Sequence, residues 1–171
     1  MNTMNIHQRG VGLMEVLVAL LVLAIGVLGF IALQYRAVEA TTESGYRVQA
    51  INIARDMAER IRVNRGAIDT YKDLLKGTAA EQIADTTDCA TTDCTISKLA
   101  AYDVKQVSQK AQDMGMVMNQ ITCAGNEAGD KRSCIYVAWG DTAPTDGTDI
   151  DDCTSGAAYV ATSTCLIMEV Y

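Results

Sequence analysis

Between Val16 and Tyr35 the chain carries no charged side chain, and nearly every residue is apolar. Val16 to Leu33 alone would rise about 27 Å as a helix, close to the thickness of a bilayer's hydrocarbon core. Two ordinary explanations of such a run leave something over. A secretory signal peptide is cut after its apolar stretch, near small residues, and no A-x-A-like site follows Leu33. A plain membrane anchor does not carry a carboxylate, here Glu15, at the head of its apolar stretch.

The apolar pattern continues past the uncharged run. Tyr46, Ala50, Ile53, Met57 and Ile61 follow a 4-3-4-4 spacing, which makes one stripe on a helix. Gly66, after Asn64 and Arg65, is the expected stop. The spacing predicts one helix of about 50 residues, on the order of 80 Å long. No single small domain buries such a helix, so it requires a membrane, a filament or a partner helix.

About 110 residues remain for a soluble head, and they are poor in aromatic residues: the only Phe, Phe30, lies in the apolar run. A thin core calls for staples. Cys89, Cys94, Cys123, Cys134, Cys153 and Cys165 supply them. An even count in a small domain behind a membrane segment reads as three disulfides in an oxidising compartment. Zinc fits poorly, because no CxxC pair occurs and no His lies nearby. Thr95 is the expected N-cap of a second helix reaching about Met114, with Ala100, Val104, Val107, Ala111 and Met114 inward. Strands are expected at Met116 to Cys123, at Ser133 to Trp139 and at Thr164 to Tyr171. Residues 67–95 read as irregular and 143–152 as a polar loop.

Hairpin geometry then suggests the pairing of the cysteines. Cys123 ends one strand and Cys134 begins the next. Cys153 and Cys165 flank the approach to the last strand, and Cys89 and Cys94 close a short loop. A sheet with exchanged partners would instead join Cys123 to Cys153 or Cys134 to Cys165.

Charge divides the chain. Residues 1–65 carry seven basic and five acidic side chains, and residues 66–171 seven basic against sixteen acidic. The acidic head argues against general binding to nucleic acid. The only histidine, His7, precedes the apolar run, so the rest of the chain has no His for a triad, a general base or a metal site. No enzymatic activity and no cofactor are expected. Asp146, Asp149, Asp151 and Asp152 cluster in one loop. They offer calcium the right ligand type without EF-hand order, so a calcium-binding or adhesive head stands beside a merely solvated acidic loop.

The segment Arg9-Gly10-Val11-Gly12-Leu13-Met14-Glu15, followed by VLVALLVLAIGVLGF, resembles the class III signal of type IV pilins and pseudopilins. The resemblance implies cleavage between Gly10 and Val11 by a prepilin peptidase, N-methylation of Val11, and use of Glu15 in filament assembly. Val11 stands where the family usually has Phe. The electrostatics agree independently. A carboxylate in an apolar segment is costly unless paired. Cleavage would create an α-amino group four residues from Glu15, on the same helix face. Only pairing with the amine of a neighbouring subunit would set register in a filament.

Further along, ALQYRAVEA, AINIARDMAERIRVNRGA, CTISKLAAYDV and CIYVAWGD resemble the PilV-type minor pilins, also called type IV pilus modification proteins. The absence of a proline in the membrane half of the helix separates the chain from most major pilins. The implied fold is α+β: a long N-terminal helix packed on a small antiparallel sheet, with a second helix and disulfides. The implied organisation is a leader over 1–10, a transmembrane and filament-core segment over 11–35, an amphipathic half-helix over 36–66 and a head over 67–171. The implied role is a minor pilin in a tip or priming complex that promotes pilus assembly, and hence twitching motility, adhesion and, in competent species, DNA uptake. Its partners would be other minor pilins, the major pilin, the prepilin peptidase, the inner-membrane assembly platform and, before assembly, membrane lipid. Its place would be the inner membrane, single-pass with the head in the periplasm, and afterwards the pilus at the cell surface. A minor pseudopilin of a type II secretion system shares the leader and helix and is the alternative.

Overall fold

The computed structural model describes residues 12–123 and 132–170. The expected cleavage site at Gly10 and Val11, the turn over residues 125–130 and the last residue, Tyr171, lie outside the described residues.

Helix α1 spans Leu13–Val63, 51 residues. The chain divides into two units between Ser44 and Gly45. In the first unit the helix leaves its apolar side chains uncovered: Leu20, Leu21, Val22, Leu23, Ile25, Leu28 and Phe30 are all more than half exposed. This segment is long and apolar enough to cross a membrane.

The second unit holds the head. There α1 buries Ala50, Ile53, Ala54, Met57, Ala58 and Ile61, the anticipated stripe widened by two alanines. Tyr46, at its start, stacks on Trp139 with ring centroids 6.3 Å apart. The helix ends at Val63, and a 3₁₀ turn over Arg65–Ala67 leads into α2, Ile68–Leu75. A single turn, α3, follows at Ala79–Gln82. The segment from 67 to 95 is therefore only partly irregular, contrary to the reading from sequence. Helix α2 has two buried anchors, Tyr71 and Leu75. Helix α3 starts on a capping box in which Thr78 and Glu81 satisfy each other's backbone N–H. Helix α4, Ile96–Asp113, is capped by the Thr95 hydroxyl, which accepts from the Lys98 N–H. It buries Ala100, Val104, Val107 and Ala111. Gly115, at φ 71°, makes the tight exit into the first strand.

Three strands form the main sheet: β1 Met116–Thr122, β2 Ser133–Trp139 and β6 Cys165–Val170, in the order β1-β2-β6, all antiparallel. Central β2 is buried on both faces. Ile135, Val137 and Trp139 join the helices in the larger core, with Leu166 and Met168 of β6 packed against it. Cys134, Tyr136 and Ala138 face a second cluster containing Cys123, Cys153 and Cys165.

That second face is covered by a structure whose first part, residues 143–152, the sequence reading took for a polar loop. Strands β3 Ala143–Asp146, β4 Asp152–Ser155 and β5 Ala158–Tyr159 make a second, smaller sheet. Strand β3 runs parallel to β4. Side chains help to close this arrangement: Asp146 accepts from the Thr154 hydroxyl at 2.7 Å and from the Gly156 N–H at 2.9 Å. Asp152 accepts from the Thr145 hydroxyl at 2.5 Å and the Asp149 N–H at 2.9 Å. Asp152 lies so close to Gly147 that a β-carbon there would sit 2.2 Å from its Oδ2, so the turn requires glycine. The fold is α+β and pilin-like, with a long helix on a small antiparallel sheet, as expected.

Candidate functional site

The six cysteines form three disulfides: Cys89–Cys94, Cys123–Cys134 and Cys153–Cys165, with Cα separations of 5.6, 5.0 and 5.9 Å. The partners are those suggested by hairpin geometry, and none of the six is a free thiol. Their roles differ. Cys123–Cys134 staples the end of β1 to the start of β2. Cys153–Cys165 joins β4 of the small sheet to β6 of the main one, across two layers. Cys89–Cys94 closes its own short loop.

Glu15 lies in the first turn of α1. Its N–H donates to the Gly12 carbonyl at 2.9 Å, and the same carbonyl receives the Val16 N–H at 3.3 Å. The unsatisfied N–H groups of a helix start favour an anion there. Around Glu15 the surface is apolar: Val16, Ala19, Leu20 and Leu23 line a shallow groove with it. A carboxylate so placed can hold a cation from another molecule at a fixed height along an otherwise featureless apolar rod.

In the head, the last turns of α1 are joined to α2 and α4 by a polar cluster that sequence patterning did not single out. Arg60 donates from Nε to Asp56 at 2.9 Å and from Nη1 to Asp103 at 2.7 Å. The other carboxylate oxygen of Asp103 accepts from the Tyr71 hydroxyl at 2.5 Å. Asn64 donates to the Ile96 carbonyl at 2.8 Å and to the Tyr71 oxygen at 3.4 Å. Burial pushes the Tyr71 phenol well above its ordinary pKa, and the bond to Asp103 pushes the same way. Burial disfavours the Arg60 charge, but its bonds to Asp56 and Asp103 outweigh that and hold its pKa raised. A second hub is Gln82. Its amide donates to the carbonyls of Leu75, Gly77 and Met118 at 2.8, 3.0 and 2.9 Å, while its oxygen accepts from Ser108 at 2.9 Å. Every polar atom of that buried amide is used in tying α2, α3, α4 and β1 together. Nothing in the spacing of Asp103 or Gln82 marks them in advance, because each depends on partners far away in sequence.

The polar groups of both clusters are engaged with one another, and Asp56 and Arg60 also line an open surface depression with Lys105, Gln106, Gln109 and Lys110. Among the described residues no three His, Cys, Asp or Glu side chains converge as a metal site needs. Of the acidic loop, Asp146 and Asp152 are engaged in holding the small sheet.

Two family models match the chain. The Prokaryotic N-terminal methylation motif matches residues 5–31, and Type IV pilin Tt1218 matches residues 32–105. The two adjoin without a gap and together run from ahead of the apolar helix to the middle of α4. Neither a curated protein nor a solved structure matches the chain.

Proposed function

This chain is a type IV pilin, and from that premise we propose that it is a minor subunit of the PilV type, acting in a tip or priming complex that promotes pilus assembly. The observation that carries the reading is helix α1: one uninterrupted helix of 51 residues that exposes only apolar side chains from Val16 to Leu33 and whose last part is built into a folded head. Such an element suits a protein that lives first in lipid and then in a bundle of like helices.

On this reading the prepilin peptidase removes residues 1–10, Val11 becomes the methylated N-terminus, and Glu15 pairs with the amine of a neighbouring subunit. The organisation that follows is a filament-core segment over 11–35, an amphipathic segment over 36–66 and a head over 67–171. The chain waits in the inner membrane with its head in the periplasm, then joins other minor pilins and the major pilin on the assembly platform. Twitching, adhesion and DNA uptake would depend on it indirectly, through pilus number. Support for a minor role comes from the helix having no proline and from a head stapled by three scattered disulfides.

A strain lacking the gene, scored for both surface pili and type II secretion, tests the reading. Loss of surface pili with normal secretion is expected. Normal pili with lost secretion would transfer the chain to a type II pseudopilus.

A further inference from the structure

The main sheet has two edges, and they are treated differently. The register fixes which backbone groups point where. The Cys123 N–H donates to the Arg132 carbonyl, and the Trp139 N–H donates to the Thr164 carbonyl. In an antiparallel ladder, bonded and non-bonded pairs alternate. Residues 134, 136 and 138 of β2 therefore bond to β1, and residues 133, 135 and 137 bond to β6. On β6 the groups of Leu166, Met168 and Val170 are used inward, while those of Cys165, Ile167 and Glu169 point to the outer edge. No backbone partner meets these outward groups among the described residues, and β6 ends the sheet order.

The opposite edge, on β1, is met by a side chain at its middle. There Met118 directs its carbonyl outward, and Gln82 takes it at 2.9 Å. Helix α2 packs on β1, and strand β3 lies against both β1 and β2.

An open edge is usually blunted by a lysine, a proline, a bulge or an overlying element. Strand β6, CLIMEV, has none of the first three. Its register with β2 is unbroken over six residues. Its one charge, Glu169, is matched by Arg132 at 2.9 Å. What remains is a straight, mostly apolar strand with main-chain donors and acceptors facing out.

We propose that the outer edge of β6, at Ile167 and Glu169, is a docking edge that accepts an extended strand from the head of a different pilin subunit. The inference rests on the pilin reading above. The occupant follows from the chemistry: outward N–H and C=O groups repeating every second residue are matched by another strand, not by a helix or a small molecule. A head-to-tail series of identical copies would need the β1 edge, where Gln82 already takes the Met118 carbonyl. The edge thus suits a unique position in an assembly, where one subunit receives its neighbour once.

The test uses full-length protein expressed as the sole copy. Glu169→Pro removes one outward donor without touching the bonds to β2, since proline is tolerated where an edge N–H faces away from the sheet. Glu169→Ala removes the same ion pair with Arg132 and keeps the donor. Both variants should accumulate in membranes at the wild-type level with all three disulfides. Recovery of Glu169→Pro with the sheared pilus fraction and with co-purifying pilins should fall roughly fivefold or more below Glu169→Ala, the scale of one lost interfacial hydrogen bond. Equal recovery of the two variants would overturn the docking edge while leaving the pilin reading intact. Absence of the wild-type chain from pili would instead overturn the pilin reading.

Should the proline variant fail to accumulate, hydrogen exchange on the wild type decides. The Ile167 and Glu169 amides should exchange quickly in the detergent-solubilised subunit and at least about tenfold more slowly in the assembled complex. Unchanged exchange overturns the proposal, as does cross-linking that finds only a second copy of this chain on β6.

Discussion

Asp103 shows how much of the head depends on single polar side chains. It is almost fully buried and accepts from Arg60 with one oxygen and from Tyr71 with the other. Asp103→Ala should leave the Tyr71 hydroxyl without its acceptor and Arg60 with Asp56 as its main partner. We expect a loss of about 2–4 kcal/mol, read from denaturant unfolding of the full chain in detergent. Tyr71 gives a pH signature of its own. Its pKa is raised in the folded state above the ordinary phenol value of 10.0. Below that value both states hold the proton and nothing changes with pH. Above it the unfolded chain loses the proton while the folded one keeps it, so stability falls as pH rises from about 10 upward. In Tyr71→Phe that fall should be smaller between pH 9.5 and 11.5, although the variant is less stable at neutral pH. Equal slopes in the two proteins would mean that Tyr71 does not hold its proton through folding. None of this was legible in the sequence: Asp103 is one acidic residue among twenty-one, and its partners come from two other helices.

Elements with a strong hydrophobic period were legible, and elements without one were not. Helices α1 and α4 and strands β1, β2 and β6 follow from stripes and alternation, and the Thr95 cap from its residue type. Helix α2 was missed because eight residues hold only two buried anchors, too few for a period to emerge. The small sheet was missed for a different reason. Its strands β3 and β4, APTD and DCTS, are polar and are held by side-chain bonds from Asp146 and Asp152 and by one disulfide, none of which leaves an alternating pattern. The double burial of β2 follows from the same omission, since the small sheet is what covers its second face. Cys153–Cys165 is therefore the fastener of an element that has little core. Replacing both cysteines by serine should cost about 2–4 kcal/mol and should raise hydrogen exchange in β3 and β4 far more than in α4. Uniform loosening of the whole head would contradict this division of roles.

At the scale of the molecule, one chain is made for two solvents. The helix from Val16 to Leu33 presents apolar side chains all round, as lipid or a helix bundle requires; the head closes a layered core behind three disulfides. Glu15 is the exception in the apolar part, and its cost in lipid gives its removal a clear expectation. Glu15→Ala should insert in the membrane at least as well as the wild type. In pili it should be recovered at about a tenth of the wild-type amount or less, by immunoblot of sheared filaments. Normal recovery would remove Glu15 from any role in register. The class III signal that frames Glu15 was readable from seven residues, but the head's partners were not, because the partner edge on β6 is a property of sheet order.

Mass spectrometry of the chain recovered from sheared pili tests the central claim most directly. The account predicts an N-terminal peptide that begins at methylated Val11 and lacks MNTMNIHQRG. A chain that still begins at Met1 in assembled pili, or one cut after the apolar run, would contradict it.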